Sequence, residues 1–437
     1  MARPATHRSS LSLGETARWS LFRLLETLSK QPSVGDNRND DILSPGGARP
    51  AVWVFASTIG ELNAVAPFLK RLTATLQDTA LVFISDHEHY RDTYLGKYPQ
   101  AYFFSSKGAT ADALRLAQAF PPRQLYIAEI PCLLSDAPCR FSYAFLRTAK
   151  QHNAKISIIN GWLYEQAPTC RLDAWERRLL LSDYLAHIDH ACVQTPHVAE
   201  RMVSAGMAPA RIVVTGNMKF DAIDKQGWSA GKTRSPIMLG TLLASARPVL
   251  VAGCLKKPPE QAMIIEAFLH TLQSSPQTLL VVAHRHPEVP GNIERLSSAL
   301  DEAGIGHVRR SKAGDAPVPP ETQCLILDTM GELRDFYAAA TIAHVGADHN
   351  LLEPLGFDKP VTTVSTWHAG FPNYPVFEMM KEVDGIVTVA DAEQLGTTWA
   401  EWLGDPASLR KQQQRIQQVL LDAAGATQRT AEATSLA

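Results

Sequence analysis

No stretch of this sequence reaches the roughly 18 to 20 consecutive apolar residues needed to cross a bilayer as a helix, so a transmembrane helix is not expected. Neither sign of charge dominates. Forty-two Lys and Arg face 44 Asp and Glu, for a formal net charge of -2, which gives no global electrostatic reason to expect nucleic acid as partner. Cysteine is sparse: six residues, at 132, 139, 170, 192, 254 and 324, with no pair at the spacing of a zinc knuckle or a redox motif. With no secretory signal at the amino end, buried free thiols in a reducing cytoplasm are expected.

What is present is ordinary globular material, 437 residues with 45% hydrophobic and 20% charged. That length predicts two domains of roughly 150 to 200 residues each. The apolar face from Trp19 to Leu28, with Arg18, Arg23 and Lys30 among it, predicts a short helix. It is expected to dock on its own protein, the alternative being a foot on a membrane surface.

Residues 1–50 are assigned to this helix and a Pro-, Gly- and Asn-containing linker. From Ala51 short apolar runs alternate with helical patterns, at 51–56, 80–85, 101–104, 124–130, 155–160, 190–194 and 211–216. Such repetition predicts a parallel sheet with right-handed crossovers over 51–222. The pattern lapses at 223–247, the expected linker, and resumes over 248–395 with runs at 248–253, 278–283, 323–327, 341–345, 361–364 and 385–389. Residues 396–437 are expected to be helical, with a frayed end beyond 422.

The chemistry-bearing residues fall where strands end. Ser57-Thr58-Ile59-Gly60-Glu61 closes the first strand and opens a helix; Glu61 in that first turn suits either a proton acceptor or a favourable charge at a helix amino-terminus. Thr215-Gly216-Asn217-Met218-Lys219-Phe220-Asp221 follows the last strand of the first domain, with Lys219 able to neutralise a phosphate. His284-Arg285-His286-Pro287-Glu288 sets an arginine at a strand end, suited to bidentate contact with phosphate or carboxylate. The His pair lacks further ligands, so no metal is expected. Asp328-Thr329-Met330-Gly331-Glu332 and His349-Asn350-Leu351-Leu352-Glu353-Pro354 are two turns able to grip a nucleotide, through amide groups and acidic side chains beyond the carboxyl ends of strands.

In order and spacing these pieces, with the Glu129-Ile130-Pro131 turn, Asn160 and Gln194, resemble the Kdo transferases (3-deoxy-D-manno-octulosonic acid transferases, glycosyltransferase family 30) across roughly residues 51 to 400. The chain is similar to that family as a divergent member: Phe55, Trp162, Gly253-Cys254-Leu255-Lys256 and Gly346-Ala347-Asp348 stand where its pattern differs.

The resemblance implies a GT-B glycosyltransferase, α/β, with two Rossmann-like domains facing a cleft: acceptor-side at 51–222, nucleotide-sugar-binding at 248–395. It implies an inverting transfer of Kdo, or a related acidic sugar, from a CMP-activated donor to a lipid A precursor or another glycan acceptor in lipopolysaccharide biosynthesis, without metal or other cofactor. Glu61 would be the general base, while Glu129 and Lys219 would support the transition state. His284, Arg285, His286, Met330, Gly331, Glu332, Asn350, Leu351, Leu352 and Glu353 would hold CMP. The expected location is cytoplasmic, with peripheral contact at the inner membrane. Two alternatives remain: a non-catalytic protein of this fold that binds a CMP-sugar or lipopolysaccharide precursor, or another GT-B enzyme such as a nucleotide-sugar epimerase.

Overall fold

A computed structural model describes residues 13–29, 48–129, 142–162, 171–223, 228–368, 371 and 373–436. The expectations placed on Ile130, Pro131, Cys132, Cys139, Cys170 and most of the first linker lie outside these residues. The chain divides into two compact units, Met1–Ala222 with Ala423–Ala437, and Ile223–Asp422.

The first unit is built on β1 (Ala51–Phe55), β2 (Ala80–Ser85), β3 (Tyr102–Ser105), β4 (Pro122–Ala128), β5 (Lys155–Gly161), β6 (His190–Val193) and β7 (Ile212–Val214). They lie in the order β3-β2-β1-β4-β5-β6-β7, every pair parallel. β1 and β2 are buried at every position, as a sheet covered on both faces requires. That burial explains why they show as unbroken apolar runs. Trp53, fully buried, satisfies its indole by donating to the Phe120 carbonyl at 3.0 Å.

The second unit repeats the plan with β8 (Val249–Leu255), β9 (Leu279–His284), β10 (His307–Arg309), β11 (Cys324–Leu327), β12 (Ile342–Val345), β13 (Val361–Val364) and β14 (Val387–Val389). Their order is β10-β11-β9-β8-β12-β13-β14, again all parallel. Strand order reverses between β1 and β4 in one sheet and between β8 and β12 in the other. Those are the switch points where open parallel sheets bind ligands.

The amino-terminal helix, Leu13–Ser29, docks on its own unit. Glu26 accepts from the Thr110 amide at 2.6 Å and its hydroxyl at 2.9 Å, so it caps the helix Thr110–Ala119. Arg18 pairs with buried Asp183 at 3.0 Å, and the Arg147 guanidinium lies 4.5 Å over the Trp19 ring. Among the described residues no helix is long and apolar enough to cross a membrane.

Two segments differ from expectation. The stretch expected as linker contains the helix Pro236–Ala244, which buries Met238 and Leu239 in the second unit. Beyond 422 the chain is not frayed: Ala426–Ala433 is a helix of the first unit, with Ala426, Thr430 and Ala431 fully buried. Its Ala and Thr content, suggestive of fraying, instead lets the helix pack closely.

Candidate functional site

In the first unit, Thr58 caps the helix Ile59–Ala64 by accepting from the Glu61 amide. Glu61 in turn reaches back, its carboxylate receiving the Ser57 amide at 2.7 Å and the Thr58 hydroxyl at 3.1 Å. This is a capping box in kind, and it fixes Glu61 at the end of β1, beside the switch point. The side chain is 4% exposed. Burial, and next the negative charge of Glu129, push its carboxyl up to about 8, against the lowering pull of the Ser57 and Thr58 hydrogen bonds.

Glu129 ends β4, across the switch point. Its backbone is left-handed at φ 58°, which a side chain adopts at a cost of about 1–3 kcal/mol and mostly where a site demands it. The Glu129 amide donates to Ile159 and its carbonyl accepts from Trp162, holding that shape. One carboxylate oxygen receives Asn160 Nδ2 at 3.0 Å and lies 3.1 Å from Lys219 Nζ. Asn160, also left-handed, sits where the pairing of β5 with β6 slips, and its own carbonyl oxygens accept from Gln194 and from the Met218 amide. Glu129, Asn160, Gln194 and Lys219, from four strand ends, thus form one network.

Sequence reasoning gave Asn160 and Gln194 no role, and missed Asp86 and His87. These last follow β2, where the Ser57 hydroxyl donates to Asp86 and His87 Nδ1 lies 2.9 Å from the same carboxylate. A polar pair directly after an apolar run was the available signal.

In the second unit the turns after β8 and β12 interlock. Gly253 admits the Tyr337 ring, since a Cβ there would stand 2.0 Å from the phenol oxygen. Glu260 clamps both turns, receiving the Lys256 amide at 2.8 Å and the Ala347 amide at 3.2 Å. Cys254 (φ 63°) and Asp348 (φ 66°) are left-handed, so with Glu129 and Asn160 four of the eight such non-glycine residues among the described residues lie at these strand ends. The Cys254 thiol is pushed up to about 11 by burial first and by the Glu353 charge next.

His349 lies among cations. Burial foremost, then the charges of Arg285, Lys256 and His286, hold its imidazole down at about 4. Neutral in consequence, it leaves Nε2 buried and without a hydrogen-bond partner. Arg285 and His286 are exposed, whereas His284 is buried and accepts the His286 amide on Nδ1, a task of turn geometry. Burial keeps its pKa low, helped by His286 and Arg295.

Asn350 donates to Glu353 at 3.2 Å and accepts the Leu352 amide at 3.1 Å. Burial raises the Glu353 carboxyl, partly offset by Asn350, Arg334 and Arg285. Leu351 and Leu352 are buried, so only their backbone can meet a ligand. Met330 and Gly331 are exposed, but Glu332 is turned inward at 2% exposure. Its oxygens take Ser235, Thr329 and, at 3.0 Å, Arg310. It braces the turn from beneath.

Comparisons with known proteins show what the chain is similar to. Residues 140–222 match the family model described as 3-deoxy-D-manno-octulosonic-acid transferase (kdotransferase). The 3-deoxy-D-manno-octulosonic acid transferase of Chlamydia trachomatis is 28% identical over 324 residues, covering 72% of this chain and 70% of that one. In sequence the chain is similar to the Kdo transferases.

Two solved structures share the fold, which is of the GT-B kind. A UDP-GlcNAc 2-epimerase from Neisseria meningitidis superposes with a TM-score of 0.59 at 12% identity, over 89% of this chain and 100% of that one. A glycosyltransferase from Rickettsia africae does so at 0.58 and 12%, over 88% and 98%.

The raised Glu61 carboxyl makes stability depend on pH. From an unfolded value near 4.5 to a folded value of about 8, the folded state holds a proton that the unfolded chain has lost. Its contribution is therefore full below 4.5 and is lost as pH rises through 8. Glu61→Gln, which does not titrate, is expected to gain thermal stability relative to the parent between pH 5 and 8 and to hold a constant difference above. Parallel melting curves across that range check this; a flat difference would remove the case for a raised Glu61.

Proposed function

We propose that this protein is an inverting glycosyltransferase that moves Kdo, or a related acidic sugar, from its CMP-activated form to a lipid A precursor or a related glycan in lipopolysaccharide biosynthesis. The observation that carries the reading is Glu61 itself: a buried carboxyl at a switch point, held up to about 8, has the proton affinity a general base for a sugar hydroxyl needs. Beside it, Lys219 and Glu129 form a paired, hydrogen-bonded group that can answer charge developing in the transition state.

In the second unit the cations Lys256 and Arg285, with His286, gather near His349, chemistry suited to the phosphate of a nucleotide monophosphate sugar and the carboxylate of an acidic one. Asn350 with Glu353, the backbone of Leu351 and Leu352, and the exposed Met330–Gly331 turn would hold the rest of CMP, with His284 and Glu332 shaping the turns. The protein would work in the cytoplasm, peripherally at the inner face of the membrane where its acceptor lies.

The test is incubation with CMP-Kdo and a tetra-acylated lipid A precursor, reading CMP release and the mass gain of the acceptor. Saturating CMP is expected to raise the melting temperature, by linkage of about 2.7 kcal/mol at a hundred times Kd, whereas UDP leaves it unmoved. Stabilisation by UDP alone, with no CMP release, would overturn the proposal and favour epimerase-like chemistry.

A further inference from the structure

The Thr215–Asp221 motif supplies Lys219 to the proposed reaction, yet neither its final aspartate nor the helix behind it has a part in that chemistry. The Asp221 carboxylate receives the amides of Gly425 and Thr427, each at 2.6 Å. These groups belong to the amino end of the helix Ala426–Ala433, where backbone donors lack partners within the helix. From that helix Arg429 returns the contact, Nε donating to the Thr215 carbonyl at 2.8 Å.

The two segments interlock as well as bond. Gly216, left-handed at φ 87°, lies under the Arg429 guanidinium, so that a Cβ there would come within 3.1 Å of it. Met218, fully buried, shares its core with Ala426, Ala431 and Leu436. The turn is thus gripped at both ends and from below. From its middle, the Met218 amide donates to Asn160 and the Lys219 amide to Asn217, while Lys219 Nζ meets Glu129.

We propose that the helix Ala426–Ala433 is a positioning element for Lys219, acting through Asp221 and Arg429, which set the path of the turn that carries it. The proposal rests on the reading of Lys219 as part of the transfer machinery. Lys219 is a long side chain on a turn between sheet and helix, and its ammonium group holds its place at Glu129 only if the backbone beneath it is fixed. Displacement by about 1 Å at such a group can cost on the order of a hundredfold in rate. Asp221 and Arg429 touch none of the reacting groups, so their effect must pass through Lys219.

The test uses the full-length protein with Arg429→Met, Asp221→Ala and Lys219→Met, alone and combined, by kcat, KM and amide exchange over residues 215–221. Arg429→Met and Asp221→Ala are expected to lower kcat by about ten- to a hundredfold, to leave the KM for the nucleotide sugar near its original value, and to speed exchange at Met218 and Lys219. Arg429→Lys, which keeps a donor and the charge, is expected to recover most of the rate. In the Lys219→Met background neither change should cost more, because the interaction they secure is already gone.

A kcat for Arg429→Met within about twofold of the parent, or losses that multiply with Lys219→Met as independent effects do, overturns the proposal. Full activity in Lys219→Met overturns the role of Lys219 and the proposal with it. That failure is recognisable because exchange over 215–221 still responds to Arg429→Met.

Discussion

Glu61→Gln is expected to reduce sugar transfer by about two to four orders of magnitude, with the first unit still folded. A glutamine carbonyl can accept the Ser57 amide as the carboxylate does, and the Thr58 cap of the helix does not involve the side chain of residue 61. What is removed is the proton acceptor. The wild-type rate should climb with pH towards a plateau above about 8, since burial and then Glu129 keep Glu61 protonated below that point, and only the carboxylate can act as base. The Gln variant should lose that climb together with the rate. The measurement is a single-turnover rate at saturating donor from pH 6 to 9.5, with circular dichroism to confirm the fold. A Gln variant within about tenfold of wild type at pH 9 would remove Glu61 from the base role, because general-base catalysis contributes more than that.

The carboxyl ends of the strands were legible because parallel strands buried on both faces appear as apolar runs, and the residue where a run stops marks the ligand-binding edge. The expected run 51–56 is β1, Ala51–Phe55, and 341–345 contains β12, Ile342–Val345. The place of Glu61, Lys219 and Arg285 beyond β1, β7 and β9 was legible in this way. β10, His307–Arg309, was missed: it is a three-residue edge strand, nowhere fully buried, and leaves no apolar run. Direction was not legible either. Glu332 and Arg285 both look like polar residues at a strand end, and only the fold shows one turned inward and the other to the surface. Partners far apart in sequence were out of reach for the same reason, since Arg310 meets Ser235 across 75 positions and Arg429 meets Thr215 across 214.

Arg310→Met is the substitution expected to cost most in stability, about 3–5 kcal/mol, the range for breaking a buried ion pair from one side. Arg310 is 8% exposed and Glu332 2%. The guanidinium pairs with Glu332 at 3.0 Å, and donates to the Ser235 hydroxyl at 2.9 Å and to the carbonyls of Gly314 and Arg234 at 2.6 and 3.2 Å. Burial works to raise the Glu332 carboxyl, but Ser235, Thr329 and Arg310 together outweigh it and hold the pKa low. A carboxyl so lowered adds stability above its unfolded pKa and loses it as pH falls through the folded one. Methionine would leave this charge buried with two hydroxyls for company. The loss should therefore be largest at neutral pH and shrink in acid as Glu332 takes up a proton. Removing both charges separates the causes: Arg310→Met with Glu332→Met is expected to be more stable than Arg310→Met alone, because no uncompensated charge remains. Because Arg234, in the same network, also donates to the Met330 carbonyl at 3.0 Å, the double variant should still bind CMP more weakly, its nucleotide turn no longer braced. Urea unfolding followed at Trp228, which donates to Asp335 in this unit, reads the stability. An Arg310→Met protein within about 1 kcal/mol of the parent would show that water or a rearranged side chain already compensates Glu332.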